Sequence, residues 1–237
     1  MSPSRHALPG SPAGGRLHLP RPEVPVQIAI PLFDAVTALD AVGPYEVLQR
    51  LPGATVVFVG AERGSVRTEN GFLGLDVDAT FDEVTRPDVV VVPGGIGTRA
   101  LLEDEQLLGW LRDVHTGTRF TTSVCTGSLL LAAAGLLEGL TATTHWGARD
   151  VLRRLGAEPV SERVVEHLDH RIVTAAGVSS GIDMALRLSE LLVDRTAAEA
   201  MQLMIEYDPQ PPTSVGRIEL ADEEVLARVA TYSEDKR

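Results

Sequence analysis

The sequence predicts an α/β sandwich, a mostly parallel central sheet covered by helices on both faces. Two patterns and one bound predict it. Short β-branched runs alternate with segments whose apolar residues recur at helical spacing. Several of those runs, such as "DVVVVPGG" at 88–95, are apolar at consecutive positions, which suits a sheet buried on both faces, whereas a half-exposed sheet would alternate polar and apolar residues. The bound is size: 237 residues at 44% hydrophobic can bury one sizeable core.

The elements follow in order. Residues 1–23, rich in Pro, Gly and Ser, lack the apolar run of a secretory signal and are expected to form a disordered leader. The main domain is expected over 24–216. Its strands are "VQIAIPL" (26–32), "TVVFVG" (55–60), "DVVVVPGG" (88–95), "RFTTSVC" (119–125), "TATTHW" (141–146) and "RIVTAAG" (171–177). Helical spacing covers 35–51, 98–115, 147–156, 181–194 and 197–207. "VRTENG" (66–71), "LGLDVDA" (73–79) and "VVEHLDH" (164–170) are expected to add small antiparallel pieces. "PQPPTSVG" (209–216) breaks regular structure, and an acidic helix follows in a C-terminal extension over 217–237.

Charge and cysteine content narrow the function. A net charge of −12 leaves no clustered Lys and Arg for phosphates, so nucleic acid is an unexpected partner. No stretch reaches about eighteen uninterrupted apolar residues, so no membrane partner is expected either. A single cysteine excludes an internal disulfide and fits a reducing cytoplasm, and no His/Cys ligand cluster suggests a metal.

That cysteine, Cys125, falls where the strand "FTTSV" gives way to the helix "TGSLLLAAAG" (126–135). In an open parallel sheet such a junction carries reactive groups, and a helix N-terminus favours thiolate. A buried, inert cysteine is the competing reading. Gly94 and Gly95, in "VVVPGGIG", end another strand; without a Cβ their amides could crowd a developing charge as an oxyanion hole, or they simply form a turn. Asp40 lies in the apolar stretch "TALDAVGPYEVL", either as a cap or as a proton partner of the thiol, with Glu46 as a competing carboxylate. His145 in "TTHW", expected at the end of the strand after Cys125, is read as a core histidine and left out of the catalytic set.

The segments "PVQIAIPLFDAVTALDAVGPYEVL", "VVVPGGIG", "SVCTGSLLLAAAGLLEGLTATTHW", "AAGVSSGIDMAL" and "QLMIEYDPQPP" resemble, in order, the ThiJ/PfpI family of the class I glutamine amidotransferase-like superfamily, most closely its isocyanide-hydrating branch. The resemblance implies a flavodoxin-like three-layer sandwich, a nucleophile elbow carrying Cys125, Asp40 as the carboxylate beside it, Thr126 next to it, and a homodimer with the elbow near its interface. Protease-type members carry histidine directly after the cysteine, where this chain has Thr126. Deglycase-type members carry glutamate where Asp40 stands.

The expected activity is therefore that of a cofactor-independent hydro-lyase. A small-molecule isocyanide would take up water to give an N-substituted formamide through a thioimidate on Cys125, with Asp40 as acid and then base. Gly94, Gly95 and Thr126 would hold water or developing charge. The alternatives are a redox sensor, whose accessible low-pKa thiol is read by a partner, and a deglycase- or glyoxalase-like enzyme.

Overall fold

The computed structural model describes residues 25–234; the expected leader lies outside the described residues. Strands β1 (Val26–Pro31) and β2 (Ala54–Gly60) are followed by a hairpin of β3 (Gly64–Arg67) and β4 (Gly74–Val77), then by the short strand β5 (Ala79–Thr80). β6 (Val89–Val92) and β7 (Phe120–Val124) come next. β8 (Thr141–Ala142) pairs with β9 (Glu158–Pro159), and β10 (Val164–His167) and β11 (Ile172–Ala175) close the series. The main sheet has seven strands in the order β10-β11-β7-β6-β1-β2-β5, with only β10 antiparallel to its neighbour.

The core follows the composition of the strands. All four valines of β6 are fully buried, as a central strand covered on both faces requires. One face packs against α1 (Ala38–Leu48), α5 (Ser180–Leu192) and α6 (Arg195–Met204), through Leu48, Met184, Leu188 and Met201. The other packs against α2 (Glu105–His115), α3 (Gly127–Ala133) and α4 (Arg149–Arg154), through Leu111, Leu130 and Leu152. Trp110 fills this second core, its ring tilted against that of Phe81 at 4.9 Å and its indole N–H donated to the Val84 carbonyl at 2.8 Å. The last helix, α7 (Glu223–Glu234), falls in the expected C-terminal extension.

Two sequence expectations are corrected. "TATTHW" is not a strand of the main sheet: only Thr141 and Ala142 pair, and they pair with β9. From Thr143 onward the polar groups turn to the main sheet's strand ends, the Thr143 amide donating to Thr174 Oγ1 at 3.1 Å and the Thr144 hydroxyl to the Cys125 carbonyl at 3.0 Å. The expected helix over 98–115 is split, because the Asp104 side chain accepts from the Leu107 amide at 3.0 Å and starts α2 afresh after a 3₁₀ turn at Ile96–Leu101. The small antiparallel pieces occur as expected, at β3–β4 and at β10.

Candidate active site

Cys125 leaves β7 with φ of 56°, a left-handed conformation that costs a non-glycine residue roughly 1–2 kcal/mol. Four hydrogen bonds hold it there. Its amide donates to the Ala175 and Ala176 carbonyls at 3.0 and 2.7 Å, at the end of β11. Its carbonyl accepts from Ser128 Oγ at 3.1 Å and Thr144 Oγ1 at 3.0 Å. The chain then turns at once into α3, which approaches β6 so closely that any Cβ on Gly127 would strike the Val92 carbonyl.

Asp40, in the first turn of α1, is fully buried against this elbow. Its Oδ2 accepts from the Gly94 amide at 2.8 Å. The Gly95 amide donates to Thr126 Oγ1 at 2.9 Å. Both glycine amides are thus spent on side chains of the site. The two amides, expected to face a developing charge, here donate to Asp40 and Thr126. A Cβ on Gly94 would sit 2.5 Å from the Thr126 nitrogen and 2.8 Å from Asp40 Oδ2. Gly94→Ala is therefore expected to displace the carboxyl and cost at least about tenfold in kcat, since misplacement of about 1 Å can cost 10²-fold; steady-state rates compared with a circular-dichroism melt would separate this from unfolding.

The electrostatics of the pair run against one sequence expectation. Burial is the main force on Asp40 and pushes its pKa from 3.8 up to about 7; hydrogen bonds from the Gly94 amide and the Cys125 side chain oppose it, and the Glu69 charge adds to the rise. Burial likewise leads the rise of Cys125 to about 12, with the Asp40 charge next and the Thr126 and Val178 amides opposing. The helix end does not outweigh burial, so the thiol is not the exposed, low-pKa group that redox sensing requires. From about pH 7 to about 12 the two groups together keep one proton.

This raised carboxyl carries a stability consequence. In the unfolded chain Asp40 ionises near its ordinary value of 3.8, but in the folded chain only near 7. The unfolded state therefore releases a proton first, and the protein loses stability as pH rises from about 4 to 7, on the order of a few kcal/mol at most. Asp40→Asn removes that loss. Its melting temperature should exceed that of the wild type at pH 8, with the difference shrinking toward pH 4.

Val178, whose amide together with that of Thr126 opposes the rise of the Cys125 thiol, was not among the expected site residues. Its only signal is position, in the loop after β11, the strand beside β7. Glu46 is removed as a competitor, since it faces outward and pairs with Arg50 at 2.6 Å. His145 is half-buried at the head of a 3₁₀ turn, with Nδ1 accepting from the Gly147 amide at 3.2 Å and its ring 5.1 Å from that of Trp146. Burial first, then the charge of Arg99, holds its pKa below the ordinary value, so it is neutral at pH 7. Beside the elbow lies a cleft of about 720 Å³ whose lining includes Thr144, Ala176 and Val178, each of which touches Cys125.

The DJ-1/PfpI family pattern matches residues 26–191. The chain belongs to the DJ-1/PfpI family. It is similar to proteins named for different activities. Isonitrile hydratase of Pseudomonas putida is 44% identical over 201 residues, covering 85% of this chain and 87% of that protein. Deglycase PfpI of Pyrococcus furiosus is 30% identical over 129 residues, covering 54% of this chain and 76% of the deglycase. Among solved structures, a ThiJ/PfpI family protein from Pseudomonas syringae superposes with a TM-score of 0.85 at 36% identity, covering 96% of this chain and 94% of that one. The flavodoxin-like reading of the sheet agrees with this DJ-1/PfpI neighbour. Among the described residues no helix is long and apolar enough to cross a membrane.

Proposed function

We propose that this protein is an isocyanide hydratase, converting R–N≡C and water into the formamide R–NH–CHO. The observation that carries the reading is the buried thiol–carboxyl pair of Cys125 and Asp40 at the strand-to-helix elbow, within which a proton can be exchanged. The similarity to isonitrile hydratase along 85% of the chain supports the choice of substrate.

The chemistry uses that proton twice. The shared proton rests on the thiol and passes to Asp40 to give the reactive form, a thiolate whose charge the nearby Thr126 and Val178 amides stabilise. The sulfur bonds to the terminal isocyanide carbon while Asp40 delivers its proton to the same carbon, giving the thioimidate R–N=CH–S–Cys125. Asp40, now a carboxylate, takes a proton from water as the oxygen attacks that carbon, and passes it to nitrogen. The adduct R–NH–CH(OH)–S–Cys125 then collapses: its hydroxyl proton returns to Asp40, the carbonyl forms, and the C–S bond breaks to restore the thiolate. Gly94 and Gly95 keep the two side chains in register through their amides. No step calls for a cofactor.

The direct test is incubation with an alkyl isocyanide and detection of the formamide by mass spectrometry. Many turnovers per Cys125 support the reading; one equivalent or none defeats it.

Two finer statements belong to the same proposal. The protein works as a homodimer with the elbow near the interface, a reading supported by the partial exposure of Leu39 beside Asp40. Sedimentation at micromolar concentration should give twice the mass of one chain, and a clean monomer would contradict this. Its place is the cytoplasm, where the single thiol stays reduced.

A further inference from the structure

We infer that a second cavity, apart from the Cys125 cleft, binds a small organic ammonium ion, an alkyl- or arylamine with an apolar body. The inference is independent of the isocyanide reading. The cavity measures about 660 Å³, within the range of roughly 300–1,000 Å³ that takes small ligands, and it shares no lining residue with the cleft beside the elbow.

The topology of the sheet favours a site at this point. The chain passes from β1 to β2 on one side and later crosses back to β6 on the other, so the strand order reverses between β1 and β6. Open α/β sheets take ligands beyond the carboxyl ends of their strands at such a reversal. The walls come from the segments that follow those strands: residues 33–35 after β1, residues 61–66 after β2, and Gly97, Ala100 and Leu101 after β6.

Backbone contacts pre-form the cavity. The Ala35 amide donates to the Arg67 carbonyl at 2.7 Å and the Gly97 amide to the Ala35 carbonyl at 3.2 Å, which ties the segment after β1 to β3 on one side and to the segment after β6 on the other. Any Cβ on Gly97 would strike the Asp34 carbonyl, so the approach is close. Ala35 is held left-handed with φ of 60°, a conformation that persists only where the surroundings fix it.

The chemistry of the lining selects the ligand. Leu32, Phe33, Val77, Phe81 and Leu107 make much of it apolar. Asp34, Glu62 and Asp104 add three carboxylates against one basic group, Arg63, and that guanidinium is already paired at 2.8 Å with Glu83, which lies outside the lining. Asp34 and Asp104 are held in place, because each accepts from a backbone amide through Oδ1, from Arg67 at 2.9 Å and from Leu107 at 3.0 Å; little further ordering is needed when a ligand arrives. The second of these bonds also caps α2, whose N-terminal amides would otherwise favour an anion. An apolar cavity with an excess of negative charge suits an apolar body that carries a cation, and disfavours an anion of the same shape.

Calorimetry at low ionic strength tests this with 2-phenylethylammonium chloride, beside the neutral 2-phenylethanol and the anionic 3-phenylpropanoate. The ammonium should bind at one site per chain with a Kd at least about tenfold below that of the alcohol, the scale of one charge-assisted hydrogen bond, and the carboxylate should bind more weakly still. The double variant Asp34→Asn with Glu62→Gln keeps shape and the acceptor for the Arg67 amide but removes two charges. It should raise the ammonium Kd at least about tenfold and leave the alcohol's almost unchanged. Ala100→Trp, at an exposed position of the lining, fills the cavity and should abolish binding of both. Circular-dichroism melts show which variants are folded, and Ala100→Trp alone decides the location if the double variant is not. No binding of the ammonium, equal binding of the three probes, or ammonium binding that survives Ala100→Trp overturns the proposal.

Discussion

Cys125→Ala is expected to lower formamide formation by about 10⁴-fold or more, the scale on which loss of a covalent nucleophile is felt. The chain has no other cysteine to take its place. The substitution should leave the fold intact, because alanine keeps the Cβ and the elbow is held by backbone groups and by the Ser128 and Thr144 hydroxyls rather than by sulfur. Formamide yield and a thermal melt on the same preparation check both halves of the expectation.

Asp40→Asn comes next in size. Asparagine keeps the shape and still accepts from the Gly94 amide through its carbonyl oxygen, but it carries no transferable proton. A kcat lower by about 10² or more is expected. The same change should make the thiol easier to ionise, because the Asp40 charge and hydrogen bond are among the causes that raise Cys125. Alkylation by iodoacetamide should therefore set in at lower pH than in the wild type, while turnover falls. That opposition separates loss of a proton donor from loss of thiolate, since a variant that had merely lost its thiolate would show slower alkylation as well.

Much of this architecture is legible in the sequence because it rests on local chemistry. Four consecutive valines in β6 report a strand buried on both faces, and a change from β-branched to helix-forming residues at Cys125 reports the elbow. What eludes the sequence depends on partners distant along the chain. The glycine pair is legible as a close approach, but not that its amides serve Asp40 and Thr126, which lie 54 and 31 residues away. The Val178 amide has no side-chain signature at all. The direction of the thiol's shift could not be read from helix polarity, because it is set by burial, which only the packed structure shows. "TATTHW" has the composition of a strand, yet its threonines pair with Thr174 and Cys125 and carry the chain across the strand ends instead.

Catalysis by this pair requires a covalent link between the isocyanide carbon and Cys125, formed with the proton of Asp40. Rapid-quench peptide mapping during turnover tests it most directly. An added mass of one isocyanide molecule is expected on the peptide containing Cys125, appearing before steady state, fading as substrate is consumed, and much reduced in Asp40→Asn. Full turnover with an unmodified Cys125 peptide at every time point would contradict it.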